Sequence, residues 1–457
     1  MERNKKILSG LLVLLLVIIA FEYGFLSRQY KLFPYRYFKN LSPPVKEKKA
    51  GLRPVLRPMR KGRWHLSRDG IKNTELSDKD QKQLSKLKAV PYLSGYHAAP
   101  PRSGVTEYEK QYAYPGLNLC ISGHTPGAYL MDMEGNILHR WGIEYKEVWP
   151  ESDDLYENGY RTFWQRVHLF NNGDILAIFE GLGLVKLDRD SHLLWSYKGR
   201  CHHDLYVDKT GKIYVLTRRE IAQRDELHLQ GPILDDRITI LSPQGKEIES
   251  ISLIDCFLNS DYASVLDKMK RKGDVLHTNT VEIIEGDLSN NNHVFKQGQA
   301  LVSIREINTI AVVDLEKQKI SWALSGMWKG QHNPTLLKNG NILIFDNRGY
   351  QGKSKVIEFD PLTQKIIWSY RSTPENNFFS STVGVSQRLP NGNTLITETD
   401  NGRAFEVMPD NKIVWEYINP YRAGEQKELI ATLLDMIRIS PNQISFLPKS
   451  APSPDPD

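Results

Sequence analysis

One pattern returns along most of this chain, and it leaves little choice of architecture. A short apolar run ends near an acidic residue, a turn follows, and an apolar pair and usually a tryptophan come next. It reads YLMDMEGNILHRW at 129–141, VKLDRDSHLLWSY at 185–197 and VVDLEKQKISWAL at 312–324. It reads IEFDPLTQKIIWSY at 357–370 and FEVMPDNKIVWEY at 405–417, and a copy without tryptophan, ITILSPQGKEIESISL, lies at 238–253. A second kind of hairpin alternates with it: NNGDILAIF at 171–179, KTGKIYVL at 209–216, KNGNILIF at 338–345 and PNGNTLI at 390–396. Asn-Gly tolerates the positive φ that a tight hairpin turn requires, and the flanking runs are of strand type. Two such hairpins in series make one four-stranded antiparallel sheet. Six units of about 45–70 residues predict an all-β chain folded as a six-bladed β-propeller. A β-sandwich accounts for the strands but not for the period. The tryptophans are expected to pack between blades.

The first unit, GLNLCIS, GAYLMD and NILHRW, has no innermost strand before it, so a segment from elsewhere is expected to complete it. Near the other end, Leu429, Ile430, Leu433, Leu434 and Ile437 fall at helical spacing and predict a short C-terminal helix packed on the propeller. The resulting division is 1–26, 27–113, 114–440 and 441–457, the last a disordered tail.

Met1–Lys6 carries Arg3, Lys5 and Lys6, and Ile7–Phe21 is almost wholly apolar. Extended through Leu26, this run is long enough for one transmembrane helix, since about 20 residues span a hydrocarbon core. Ala20 has Ile18 at the −3 position, a poor cleavage site, so an uncleaved signal-anchor is expected, with the propeller on the exported, periplasmic or extracellular, side. Residues 27–113 read as a basic, Pro-rich stalk or arm, with a short polar helix at Ser77–Leu87. Residues 1–72 hold 17 Lys and Arg against 4 Asp and Glu in a chain of net charge +6, so the globular part is acidic. That argues against nucleic acid as a partner. Cys120, Cys201 and Cys256 lie far apart, have no metal spacing, and read as buried free thiols.

Chemistry on a β scaffold gathers at strand ends. In Gly330–Tyr350, Gln331 and His332 precede a hairpin, and Asp346, Asn347 and Arg348 follow it. Aligning hairpins on their glycines sets His203, in CHHDLYVDKTG, over His332, in QHNPTLLKNG. His277, in DVLHTNTVEII, precedes the corresponding strand of the intervening blade. Three successive blades thus aim a histidine at one channel mouth, flanked by Asp204, Asn279 and Asn333.

These stretches carry a family resemblance. HHD at 202–204, HTN at 277–279, QHN at 331–333 and the FDN-R stretch at 345–348 resemble the PAPS-independent arylsulfotransferases. Those are exported six-bladed propellers that move a sulfuryl group from a phenolic sulfate to another phenol. The resemblance covers roughly residues 115–440. It implies catalytic roles for His203 (or its neighbour His202), His332 and Arg348, and substrate contacts from His202, His277, Asn279, Asn333 and Asn376. It implies a phenolic sulfate donor, a phenol acceptor and no cofactor. Nothing in the sequence resembles a P-loop, a dinucleotide fingerprint or a zinc site.

One departure matters. The family's nucleophile is a histidine of the last blade, which becomes a sulfohistidine. The matching stretch here is ENNFFSSTVG, which sets Asn376 in that place, and no histidine follows His332. An imidazole nitrogen splits one hard transfer into two easier ones. Without the usual one, His332 or His203 attacks instead, or the acceptor attacks directly, or the chain is a non-catalytic propeller that binds a sulfated ligand or an envelope partner.

Overall fold

The four glycine hairpins set the geometry. In each, the glycine N–H reaches back to a carbonyl three residues earlier: Gly173 to Phe170, Gly211 to Asp208, Gly340 to Leu337 and Gly392 to Leu389, at 2.8–3.0 Å. The glycines sit at φ of +82° to +90°, where a side chain is strained. Each turn therefore stops one apolar run and starts the next antiparallel to it.

The computed structural model describes residues 64–66, 102–151, 163–221, 224, 227–286, 295–374, 376–423 and 429–447. All lie within one compact unit, 59–457. The expected anchor, the helix at 77–87 and residues 448–457 fall outside the described residues. Among those described, no helix is long and apolar enough to cross a membrane.

The strands form six blades, each a four-stranded antiparallel core. Blade 2 is 164–169, 175–179, 183–187 and 193–197; blade 3 is 205–207, 213–221, 233–241 and 247–252. Blade 4 is 278–283, 300–304, 309–314 and 319–325; blade 5 is 332–336, 342–350, 353–359 and 366–371. Blade 6 is 385–388, 394–398, 403–407 and 413–418. Gly104–Tyr108, in the stretch read as a stalk or arm, adds to blade 6 as a fifth strand.

Blade 1 corrects one expectation. Its strands 117–122, 127–131 and 137–142 are completed by Leu433–Ile439, which pairs with Leu117–Ser122 as the innermost strand. Leu429–Ala431 is also a strand, paired with Trp64–Leu66. There is no C-terminal helix at these positions. Leu433–Asp435 and Met436 are buried on both faces of the strand, so apolar residues occupy consecutive positions and the period of two is lost. Such a run matches helical spacing as well as strand spacing. Residues 441–447, expected to belong to a disordered tail, are packed on the propeller: Ser445 N–H bonds Asn171 O at 2.9 Å, and Phe446 packs against Trp141 and His139.

Six hydrophobic clusters fill the gaps between successive blades. The recurring tryptophans tie four of the blades to the next. Trp141 of blade 1 donates to Gly173 O in blade 2, Trp368 of blade 5 to Pro409 O in blade 6, and Trp415 of blade 6 to Met133 O in blade 1, at 2.9–3.0 Å. Trp195 lies against Gly245, where a Cβ would meet its ring at 2.5 Å. The three cysteines are buried free thiols.

The innermost strands face the channel with backbone donors that have no further strand to pair with. Side chains of neighbouring blades meet that need. Asp204 accepts from Val281 N–H (3.0 Å), Thr280 from Asn333 N–H (2.9 Å), Asn333 from Ser386 N–H (2.8 Å) and Gln387 from Arg438 N–H (2.8 Å). Arg166 of blade 2 completes the circle, paired with Asp204 of blade 3 at 3.0 Å and with Asp435 of blade 1. These six links join every neighbouring pair of blades.

Candidate active site

At one end of these innermost strands the chain enters blades 3, 4 and 5 through a left-handed residue. His203 has φ +56°, His277 +52° and Asn333 +48°. Non-glycine residues there cost about 1–2 kcal/mol each, so the surroundings must hold them. The His203 N–H donates to Glu180 Oε2 at 2.8 Å, and Thr278 N–H to Asp236 Oδ2 at 2.5 Å.

His203 and His277 come together. Their rings meet edge to face with centroids 4.7 Å apart. His332 lies within electrostatic reach, since its charge disfavours protonation of His203 and that of His277 disfavours its own. Behind them runs a partly buried ionic row. His277 Nδ1 lies 2.5 Å from Asp274, and Arg218 joins Asp274 (3.3 Å) to Asp236 (3.1 Å). His202 is fully buried, with Nδ1 3.0 Å from His203 Nδ1 and an enclosed Nε2 3.7 Å from Asp236. It supports His203 from behind and has no open face.

The imidazoles of His203 and His332 are held neutral. Burial pushes His203 well below its usual range, with His277 and His202 adding to the effect. Burial also pushes His332 down to about 3, helped by the Arg305 charge. The reverse holds for the Asp274 carboxyl, which the His277 hydrogen bond lowers in spite of its burial.

His332 and Arg348 share a hairpin. His332 pairs with Phe345, and Arg348 stands three residues further on. Arg348 N–H bonds Lys329 O at 3.0 Å, and Asp346 Oδ1 gathers the N–H groups of Lys329, Arg348 and Gly349 at 2.8–3.3 Å. The guanidinium makes no hydrogen bond or ion pair among the described residues.

Two of the named asparagines serve the frame instead. Asn279 Nδ2 donates to Gln331 O at 2.9 Å, and Asn333 is one of the interblade links. Asn376 is exposed, in a turn closed by Thr373 N–H to Asn376 O at 3.0 Å, and no contact among the described residues brings it to the histidines. Counting eight residues back from the hairpin glycine, as for His203 and His332, gives Gly384 in blade 6. A Cβ at Gly384 would meet the Phe345 ring at 2.5 Å. The last blade thus offers glycine where blades 3 and 5 offer histidine.

Sequence reading missed Glu180, Arg218, Asp236, Asp274 and Arg305 as parts of this site. Asp274 lies three residues before His277 and was within reach of a local argument. Glu180 and Asp236 reach it only through strand ends distant in sequence. Among the described residues no group of three or more His, Cys, Asp or Glu side chains is arranged to hold a metal ion. A separate cavity of about 310 Å³ on blade 1, lined by His124, Tyr129 and Arg140 among others, shares no lining residue with the histidines.

The family model described as Arylsulfotransferase (ASST) matches residues 166–420. No curated protein matches the sequence. Among solved structures, a protein of unknown function from Bacteroides caccae is 12% identical, with 70% of this chain and 99% of that chain covered and a TM-score of 0.44. A streptogramin B lyase is 14% identical, with 72% and 87% covered and a TM-score of 0.40. A catalytically inactive virginiamycin B lyase from Staphylococcus aureus with quinupristin is 9% identical, with 73% and 99% covered and a TM-score of 0.39. Likenesses this distant carry no argument about function.

Proposed function

The chain belongs to the arylsulfotransferase family, and on that footing we propose that it moves a sulfuryl group from a phenolic sulfate to a phenol acceptor at the histidine-lined channel mouth. The observation that carries the reading is the edge-to-face contact of His203 with His277, with His332 within electrostatic reach of both and an uncommitted Arg348 on the His332 hairpin. Arg348 holds sulfuryl oxygens through its charged fork as negative charge redistributes. His277, backed by Asp274, gives a proton to the departing phenolate. His203, whose Nδ1 faces His202, is placed to bind or deprotonate the acceptor. The apolar run Ile7–Phe21 tethers the propeller to a membrane with this mouth on the exported side.

The lack of any histidine after His332 favours a second reading, a propeller that binds a sulfated ligand or an envelope partner without turnover. Incubation of the purified protein with 4-nitrophenyl sulfate and a phenol acceptor separates the two. Nitrophenol release matched by sulfation of the acceptor supports transfer. Saturable binding of the ester with no release supports the second reading.

A further inference from the structure

A histidine that attacks sulfur needs one ring nitrogen bare and its partner nitrogen protonated. His332 meets both conditions by hydrogen bonding alone. Its Nδ1 faces two oxygens, Gly330 O at 3.0 Å and Asn347 Oδ1 at 2.8 Å. The Asn347 amide has one orientation, because its Nδ2 donates to Ser380 O at 2.9 Å and Val383 O at 2.7 Å. An oxygen therefore faces His332, and Nδ1 must carry the proton. Nε2 is left with its lone pair. It has no hydrogen-bond partner among the described residues, and it is not enclosed as His202 Nε2 is. The acceptors behind His332 are neutral, whereas His277 is backed by the Asp274 carboxylate. One imidazole is thus set to give electrons and the other to give a proton.

We infer that His332 Nε2 takes the sulfuryl group in this protein, with Asn347 as the residue that fixes its tautomer. The inference rests on the sulfuryl-transfer reading above. The Nε2 lone pair forms an N–S bond while the S–O bond to the donor phenol breaks. That bond's electron pair leaves on the phenolate oxygen, which takes a proton from His277. The positive charge then on the sulfated ring is shared with Gly330 O and Asn347 Oδ1 through the Nδ1 proton. In the second half the acceptor phenol returns a proton to His277, its oxygen forms the new S–O bond, and the N–S pair returns to Nε2. The last blade, with Gly384 at the equivalent position, supplies anchoring carbonyls to Asn347 instead of the attacking ring.

The test uses the full chain and ³⁵S-labelled 4-nitrophenyl sulfate, mixed rapidly without acceptor, quenched in base and mapped by peptide mass spectrometry. The expected result is a burst of about one nitrophenolate per chain, with label on the peptide containing His332. His332→Gln abolishes burst and label and lowers turnover by about 1000-fold or more. Asn347→Asp sets a carboxylate behind the ring. It faces the opposing charges of Arg305 and His277, and it moves the acid limb of turnover to higher pH by about one unit. A merely structural Asn347 leaves that limb in place. Label on another residue, or acceptor sulfation with no labelled chain during the first turnover, overturns the assignment and leaves sulfuryl transfer standing. No nitrophenolate under any condition overturns both.

Discussion

Asp204 and Asn333 bond across the seams between blades, while their sequence neighbours His203 and His332 belong to the histidine cluster. The two rows are one residue apart and have opposite chemistry. In the seam row, Asp204 and Asn333 accept backbone N–H groups of the following blades. At the mouth, His203 and His332 present rings held neutral by burial. Satisfied polar groups fix where the blades stand, and this lets the neighbouring groups stay open to a ligand. Stability and chemistry should therefore separate cleanly between the rows.

The severest effect on stability should come from Asp204→Ala. It leaves Arg166 with only Asp435 and strips Val281 N–H of its acceptor. Breaking a buried pair costs about 3–5 kcal/mol, read as a drop in unfolding free energy by urea titration. Next comes Arg348→Ala, which should lower turnover of 4-nitrophenyl sulfate by about 100- to 1000-fold and change unfolding free energy by less than about 0.5 kcal/mol. Arg348→Lys should fail to restore the rate, since an ammonium lacks the planar fork. Equal losses of stability in the two variants would erase the distinction between the rows.

A smaller effect depends on pH. Burial, with the Asp204 charge adding, pushes Glu282 in the channel up to about 8. Its folded-state value lies above its ordinary one of 4.5. Across that window the folded protein keeps a proton that the unfolded chain releases, so its contribution to stability falls as pH rises from about 4.5 to about 8. Glu282→Gln removes the titration and keeps an oxygen for Leu336 N–H. The variant should gain on wild type by on the order of 1–3 kcal/mol between pH 5 and pH 8, measured by thermal or urea unfolding at both values. A constant difference across that range would show that Glu282 does not hold its proton. The smallest effect belongs to Asn376→Ala, whose exposed turn predicts an unchanged rate and a stability change within about 0.5 kcal/mol.

The blades were legible because their signal is local and repeated: a turn glycine, an alternating run and a tryptophan within about 13 residues. His203 and His332 were legible for the same reason, each lying eight residues before a hairpin glycine, while His277 was found only by its place before the corresponding strand. What escaped notice was either continuous or distant. Leu433–Ile439 has no alternation to read because it is buried on both sides over most of its length. Asn347 was visible as a polar residue after a strand, but its part in fixing His332 depends on carbonyls at 380 and 383. Asn376 was set in the missing histidine's place by a loose stretch of sequence, whereas the hairpin count leads to Gly384.

The order in which the chain emerges from the ribosome gives the innermost strand of blade 1 a further meaning. Blades 2 to 6 are complete before residues 433–439 are made, yet Asp435 and Arg438 supply two of the six interblade links. Until then Arg166 waits beside a gap, and the first and last blades cannot be joined at the channel. A nascent chain thus passes through a long interval as an open arc with unpaired strand edges, the condition in which proteases and chaperones act. A premature stop only about 25 residues from the end would leave every histidine of the mouth in place, and the ring unable to shut.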